Sequence, residues 1–299
     1  MRLGIDLGGS KIEIIALDAA GAELYRSRVA TPQGDYQATL NAICDLVNNI
    51  EQKLGMRGSV GIGTPGAISR ATGRLKNSNS VCLNDQPLLQ NLEALLARPI
   101  RISNDANCFA LSEATDGAAA GADVVFGVIV GTGTGAGIVV RDQVLDGPNS
   151  IAGEWGHNPL PWPRDDEFPG AACYCGQHGC IETFLSGPGI TRDHERATGV
   201  HSAAQDIVLR ATQGDSACEA TLQRYEDRIA RALAHVINIL DPHVIVLGGG
   251  LGNIARLYQN VPRLWGKYVF SDRVDTRLVA PKFGDASGVR GAAWLWNKN

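Results

Sequence analysis

Apolar and polar positions along the chain switch between two periods, and each switch marks an element. Leu3 to Leu7 is a short apolar run broken only by Asp6. After Gly8-Gly9-Ser10-Lys11, the run Ile12 to Leu17 predicts a second strand, closed by a turn at Asp18 to Gly21. Phe126 to Val130, the loop Gly131-Thr132-Gly133-Thr134-Gly135 and the run Ala136 to Val140 before Asp142 repeat this order of strand, glycine loop, strand and polar turn. The repetition implies an internal duplication, with two similar half-molecules facing one another. Between the copies, Tyr36, Leu40, Ile43, Val47, Ile50 and Leu54 recur at helical spacing. Val60 to Ile62 and Ile100 to Ser103 predict short strands, and a helix follows Asn104-Asp105 and fades toward Gly117 to Gly121. Later, Leu222, Tyr225, Ile229, Leu233, Val236 and Leu240 mark a long helix stopped at Asp241-Pro242. His243 to Leu247 then reads as a buried strand running into Gly248-Gly249-Gly250, and Val289 to Trp296 as a closing helix. Strands alternating with helices predict an α/β fold. The expected division is an N-terminal α/β domain over 1–118, joined by the closing helix 287–299, and a C-terminal α/β domain over 119–286.

Composition narrows the function. A hydrophobic fraction of 44% and a charged fraction of 19% over 299 residues describe an ordinary globular protein with room for two modest domains. The net charge of −4 leaves no basic surplus to neutralise phosphates, so nucleic acid is not an expected partner. No stretch approaches the ~20 apolar residues of a membrane span, and Asp6 stands where an export signal needs an apolar run. A cytoplasmic protein without a membrane partner is expected. Seven cysteines, an odd number, fit thiols or metal ligands better than a disulfide frame. The 36 glycines gather into loops directly after apolar runs, where a backbone can approach a ligand closely, and three such loops suggest a polyphosphate.

Two phosphate motifs are nearly matched and fail. Gly4 to Lys11 approximates the G-x-x-x-x-G-K-[ST] loop with Ser10 and Lys11 reversed, and Gly131 to Ala136 fits G-x-G-x-x-A. Both motifs need a helix next, and β-branched strands follow instead. Any one of these loops is explained as well by a tight hairpin. Asp6 weighs against that, because a carboxylate within an apolar strand is costly unless paired or near a metal. Mg²⁺ on ATP phosphates would meet that need.

Taken together, Asp6 to Lys11, the Gly131 to Gly137 loop and Gly248 to Gly250 resemble the actin-like (ribonuclease H-like) sugar-kinase ATPase core. Glu154-Trp155-Gly156-His157 followed by Cys173-Tyr174-Cys175-Gly176-Gln177-His178-Gly179-Cys180-Ile181-Glu182 is more specific and resembles the ROK family (repressors, open reading frames, kinases). Through Asn104 to Cys108, Glu154 to Trp162 and Gly288 to Trp294 the chain looks most like the bacterial fructokinases, of manno(fructo)kinase type, within it. The resemblance implies two α/β domains with a cleft, a homodimer, and transfer of the ATP γ-phosphoryl group to a hexose. Fructose, giving fructose 6-phosphate, is the first expected acceptor, then glucose or mannose, then an N-acetylated amino sugar. It also implies that Asp105 is the catalytic base and that Asn104, Glu154, His157 and Glu182, with Gly66 and Asn79, contact sugar. Gly4, Asp6, Gly8, Gly9, Ser10 and Lys11, with Gly131, Thr132, Gly133, Thr134, Gly135, Gly248, Gly249 and Gly250, are expected to hold MgATP.

Phosphoryl transfer asks for positioning, charge neutralisation and a group to take the hydroxyl proton. Asp105, after a predicted strand and opening a predicted helix, is placed for that task, although an isolated Asn-Asp pair there would read as a helix cap. Cys173, Cys175 and Cys180 lie within eight residues, with Gly176 and Gly179 for tight turns, and His157 completes a Cys₃His set suited to structural zinc. One ring nitrogen of His157 on zinc would leave the other as a fixed donor to a sugar hydroxyl. His178, by contrast, reads as a solvated loop residue, and Cys44, Cys82, Cys108 and Cys218 as ordinary buried thiols. The link between His157 and Cys173, Asn158 to Ala172, is longer than in many family members and rich in proline and acid; it could lie over the sugar or serve a subunit contact. A ROK repressor is the rival from another class. It needs a helix-turn-helix ahead of a strand that here starts at Leu3. An actin-like ATPase without a sugar site is disfavoured by the cysteine and glutamate cluster.

Overall fold

The computed structural model describes residues 1–296. In chain order its first elements are β1 (Arg2–Leu7), β2 (Lys11–Leu17), β3 (Glu23–Ala30), α1 (Tyr36–Leu54), β4 (Ser59–Thr64), β5 (Ala67–Ile68), β6 (Leu75–Lys76), α2 (Leu88–Leu96), β7 (Ile100–Asn104) and α3 (Asp105–Thr115). There follow β8 (Val124–Val130), β9 (Thr134–Val140), β10 (Gln143–Val144), α4 (Ile181–Leu185), α5 (Gly187–Thr198), α6 (Ala204–Thr212), α7 (Ser216–Leu240), β11 (Val244–Gly248), α8 (Leu257–Trp265), β12 (Arg277–Val279) and α9 (Ser287–Trp294). One five-stranded sheet has the order β3-β2-β1-β4-β7 and the other β10-β9-β8-β11-β12. The two orders correspond strand for strand, so the duplication read from the two glycine loops extends through the order of both sheets.

Two compact units are formed. The first comprises Met1–Gly121, Gly137–Ala152 and the chain from Lys282; the second comprises Ala122–Ala136 and Gly153–Pro281. The seam differs from the expected 1–118 and 119–286 for physical reasons. A Cβ on Gly137 would stand 2.5 Å from the Ala106 carbonyl, so β9 from this point lies against α3. Lys282 N–H donates to the buried Glu113 carboxylate at 3.0 Å, tying the chain before α9 to α3 as well. Residues 297–299 of the expected closing helix lie outside the described residues.

In the first unit, β1 pairs antiparallel with β2 and parallel with β4, and β4 pairs parallel with β7. Leu3, Ile5, Leu7, Ile12, Ile14, Val60 and Ile62 meet Leu40, Ile43, Val47 and Ile50 of α1 in one core, as the helical spacing predicts. Asp35 caps α1 by accepting from Ala38 N–H, and Gly55 ends it at φ 63°. Against β1 and β4, α9 lies backbone to backbone. A Cβ on Gly4 would sit 2.1 Å from Val289 O, one on Gly61 1.9 Å from Ala292 O, and one on Gly291 1.6 Å from Cys108 O. Packing against α9 by itself therefore requires glycine at position 4. Helix α3 is buried on every side from Ala106 to Ala114, so it shows little amphipathic pattern.

In the second unit, β11 pairs parallel with β8 and with β12. The predicted apolar positions Leu222, Tyr225, Ile229, Leu233 and Val236 are buried along α7. Asp215 caps this helix by accepting from Ala217 and Cys218, and Asp241 closes it at φ 47° ahead of Pro242. Another face of α7 buries Arg228 and Arg231, whose side chains are 2% and 1% exposed.

Candidate active site

Asp6 lies near the end of β1, opposite Glu13 on β2 and Gly63 on β4. Burial raises its carboxyl, the Asp105 charge raises it further, Lys11 lowers it and Glu13 raises it, leaving it at about 6 against an ordinary 3.8. Asp6 and Asp105 are thus electrostatic neighbours, and a divalent cation would relieve their repulsion. The loop after β1 is braced from the β3–α1 connection. Thr31 Oγ1 donates to Gly8 O at 2.7 Å, Gln33 Nε2 to Gly9 O at 3.2 Å and Thr31 N–H to Ser10 O at 3.0 Å. Lys11 Nζ reaches Glu13 at 3.1 Å.

Asn104, and not Asp105, is the N-cap of α3: its Oδ1 accepts from Ala106 N–H at 2.8 Å. Its Nδ2 donates to Gly66 O at 3.2 Å, so both ends of the Asn104 amide are engaged within the protein. Asp105 is the first helical residue and exposed, with Oδ1 also 2.8 Å from Ala106 N. Gly66, at φ 82°, fits under Lys76 O, where a Cβ would come within 2.3 Å. Asn79 is exposed and, with Gly9, Leu7, Pro32 and Val81, lines a cavity of about 490 Å³.

In the second unit the loop Gly131 to Gly135 is held from three directions. Glu182 Oε2 accepts Thr134 N–H at 2.9 Å, Gly187 N–H donates to Gly131 O at 2.7 Å, and Gly249 packs under Val130. Glu182, expected as a sugar contact, is thus bonded to the glycine loop through one oxygen. Gly249 takes φ 80°, whereas Gly131 and Gly250 have ordinary φ and nothing within 4 Å of a built Cβ. No protein neighbour requires glycine at those two positions. Gly156 fits against Thr134 O, where a Cβ would come within 2.0 Å, and so seats Glu154 to His157 on the same loop.

His157, Cys173, Cys175 and Cys180 are gathered as the sequence predicts, with one donor atom from each lying within 4.8 Å of the others. His157 Nδ1 is 3.6 Å from Cys173 Sγ, and Cys175 Sγ is 3.6 Å from Cys180 Sγ. A tetrahedral zinc site has S···S edges of about 3.8 Å and S···N edges of about 3.5 Å, from bond lengths of about 2.3 and 2.0 Å. The donor set fits that ion. Burial pushes the Cys180 thiol up to about 12, and a dication would supply the missing countercharge. Gly176 and Gly179 take φ 88° and 67°, the tight turns expected of them.

Two features were not legible in the sequence. His157 Nε2 is engaged by the Tyr174 hydroxyl at 2.9 Å. Desolvation at the hydroxyl end of an otherwise exposed side chain, followed by the charges of Glu182, Cys173 and Glu154, raises the Tyr174 phenol to about 12. The link from Asn158 to Ala172, in turn, is bolted to α7. Glu167 Oε1 accepts from Arg228 Nε at 2.7 Å and Arg231 at 2.8 Å, and its Oε2 from Arg164 N–H at 2.9 Å. Arg231 also donates to Pro161 O at 3.2 Å and Trp162 O at 2.8 Å. Burial raises Glu167, but the hydrogen bonds from Arg231, Arg164 and Arg228 outweigh it and hold the carboxyl at about 2.

Known proteins resemble this chain along nearly its whole length. The chain is 38% identical over 299 residues to an N-acetyl-D-glucosamine kinase of Yersinia enterocolitica, covering 99% of both chains. It matches the crystal structure of a ROK hexokinase from Thermus thermophilus at 30% identity and TM-score 0.86, over 98% of this chain and 96% of that one. It also matches a ROK family glucokinase from Streptomyces griseus, in complex with glucose and AMPPNP, at 26% identity and TM-score 0.77, over 98% of each chain. The ROK family's sequence profile runs from residue 2 to residue 299. It takes in both glycine loops, the Asn104-Asp105 pair and the Cys₃His cluster, and the chain belongs to the ROK family.

Proposed function

We propose that this protein is an ATP-dependent kinase of free hexoses whose preferred acceptor is N-acetyl-D-glucosamine. The observation that carries the acceptor is the full-length likeness to a curated N-acetyl-D-glucosamine kinase. It displaces the fructose expected from sequence and moves the N-acetylated amino sugar from last choice to first. Kinase chemistry is supported by the match to a ROK glucokinase bound to AMPPNP and by the residues themselves. In the first unit, Asp105 stands exposed at the start of α3, where its carboxylate can take the proton as a sugar hydroxyl attacks the γ-phosphorus. The P–O bond to ADP breaks as the new P–O bond forms, and the proton remains on Asp105. Asp6 and the braced Gly8 to Lys11 loop would hold Mg²⁺ and phosphate. In the second unit, the Gly131 and Gly250 backbones would approach the nucleotide, and Glu154 and His157 would bind sugar. Cys173, Cys175, Cys180 and Nδ1 of His157 would hold zinc, which supplies a fixed orientation for the imidazole and its neighbouring turn.

A coupled ADP-release assay across N-acetylglucosamine, N-acetylmannosamine, glucose, mannose and fructose tests the proposal. N-acetylglucosamine should give the highest kcat/KM, at least about tenfold above fructose. A higher value for fructose or glucose would overturn the acceptor, and no ADP release with any sugar would overturn the kinase.

A further inference from the structure

The His157 imidazole has two nitrogens, and both face a partner. Nδ1 is turned to Cys173 Sγ at 3.6 Å, and Nε2 is 2.9 Å from the Tyr174 hydroxyl. The two rings meet edge to face, centroids 5.0 Å apart at 88°. With Nδ1 committed to the thiol cluster, Nε2 carries the ring's proton and donates it to the phenol oxygen. The phenol then makes the contact that a sugar hydroxyl would make. A single N–H supports one well-directed hydrogen bond, so the phenol and a sugar hydroxyl exclude each other there. The phenol can leave. Tyr174 is 82% exposed, lies at the tip of the turn between Cys173 and Cys175, and gives up little buried surface by turning outward.

We propose that Tyr174 is a specificity-determining residue that competes with the acceptor sugar for the His157 Nε2–H, so that each sugar must displace the phenol to bind. The inference rests on the kinase function proposed above and adds to it a term in sugar affinity that Asp105 and the nucleotide loops do not share. Sugars whose hydroxyls reach His157 in good geometry recover the lost hydrogen bond; those that do not are penalised, which sharpens discrimination among hexoses that differ in hydroxyl orientation.

The test is calorimetric titration of the zinc-loaded protein with N-acetylglucosamine, without nucleotide, for wild type, Tyr174→Phe and Tyr174→Ala. A neutral hydrogen bond of ordinary net strength corresponds to a change of about two- to tenfold in affinity. Both variants should bind sugar more tightly by that factor. In steady-state assays KM for sugar should fall by a similar factor while kcat holds, with zinc content and melting temperature as in wild type. A merely structural tyrosine would lower the melting temperature or zinc content and leave sugar affinity alone. Sugar binding by Tyr174→Phe that is unchanged or weaker overturns the inference, the latter because the phenol then contacts the sugar directly. Wild type that binds no N-acetylglucosamine overturns the acceptor proposed above together with it, whereas equal, measurable affinities overturn only the competition.

Discussion

Replacing Asp6 by Asn should stabilise the protein while impairing its metal-dependent activity. Asp6 ionises at about 6 in the folded chain against 3.8 ordinarily, chiefly through burial and the Asp105 charge. The folded state therefore holds this proton more tightly than the unfolded one. Below the ordinary value the group is neutral in both states and contributes nothing. As pH rises from 3.8 to about 6 stability declines, and above that the full penalty is present. At 1.36 kcal/mol per pH unit the gap corresponds to about 3 kcal/mol as a ceiling. Asparagine keeps the shape and removes the charge, so Asp6→Asn should gain about 1–3 kcal/mol at pH 8, a rise of roughly 2–5 °C in melting temperature. At pH 4 the two proteins should melt together. The assay is a thermal melt of both at pH 4, 6 and 8 without nucleotide, beside kcat/KM for MgATP at pH 8, which should fall because the cation loses its carboxylate. A lower melting temperature for Asp6→Asn at pH 8, or the same gain at every pH, would refute the electrostatic argument.

Asp105→Asn should lower kcat by ~10²–10⁴-fold, the usual contribution of a general base, with little change in melting temperature because Asn104 is the helix cap. A folded variant that keeps more than about a third of wild-type kcat removes Asp105 from that role. Freshly purified protein should carry about one zinc per chain, and Cys175→Ser should lower both metal content and stability, as elemental analysis and melting will show. Glu167→Gln removes the carboxylate that the buried Arg228 and Arg231 share and should cost about 3–5 kcal/mol, read by denaturant unfolding. Since Glu167 is held at about 2 against 4.5, its contribution is present above 4.5 and is lost only as pH falls toward 2, so an acid titration of wild type gives an independent check.

Local sequence determined the elements whose signal is carried by neighbours along the chain. The helical spacing of Leu40, Ile43, Val47 and Ile50, the stop at Asp241-Pro242 and the paired strand, glycine-loop, strand patterns each became the element they predict. Side-chain period and turn chemistry act over one or two turns of backbone, and a sequence displays them directly. The cysteine turn was legible for the same reason, because three ligands and two glycines fall within eight residues. Edge strand β3 is largely exposed and so carries little apolar alternation, and the sequence reading did not resolve helices α2, α4, α5, α6 and α8.

Tertiary structure decided what depends on residues far apart meeting. Gly4 reads as part of a phosphate loop, and only the fold shows α9, nearly 300 residues along, lying against it. Asn104 and Asp105 are equivalent as helix caps in sequence, and the backbone at β7 and α3 assigns the cap to Asn104 and leaves Asp105 exposed. Glu167 looked like one acid in a proline-rich link, yet α7 presents two guanidinium groups to it and turns that link into a fixed strap. Tyr174 was simply the residue between two cysteines until the turn carried its hydroxyl to His157. Residue types and their local spacing come from the chain itself; the partner of each charge or hydroxyl is set by packing, because burial makes an unpaired polar group too costly to leave unmatched.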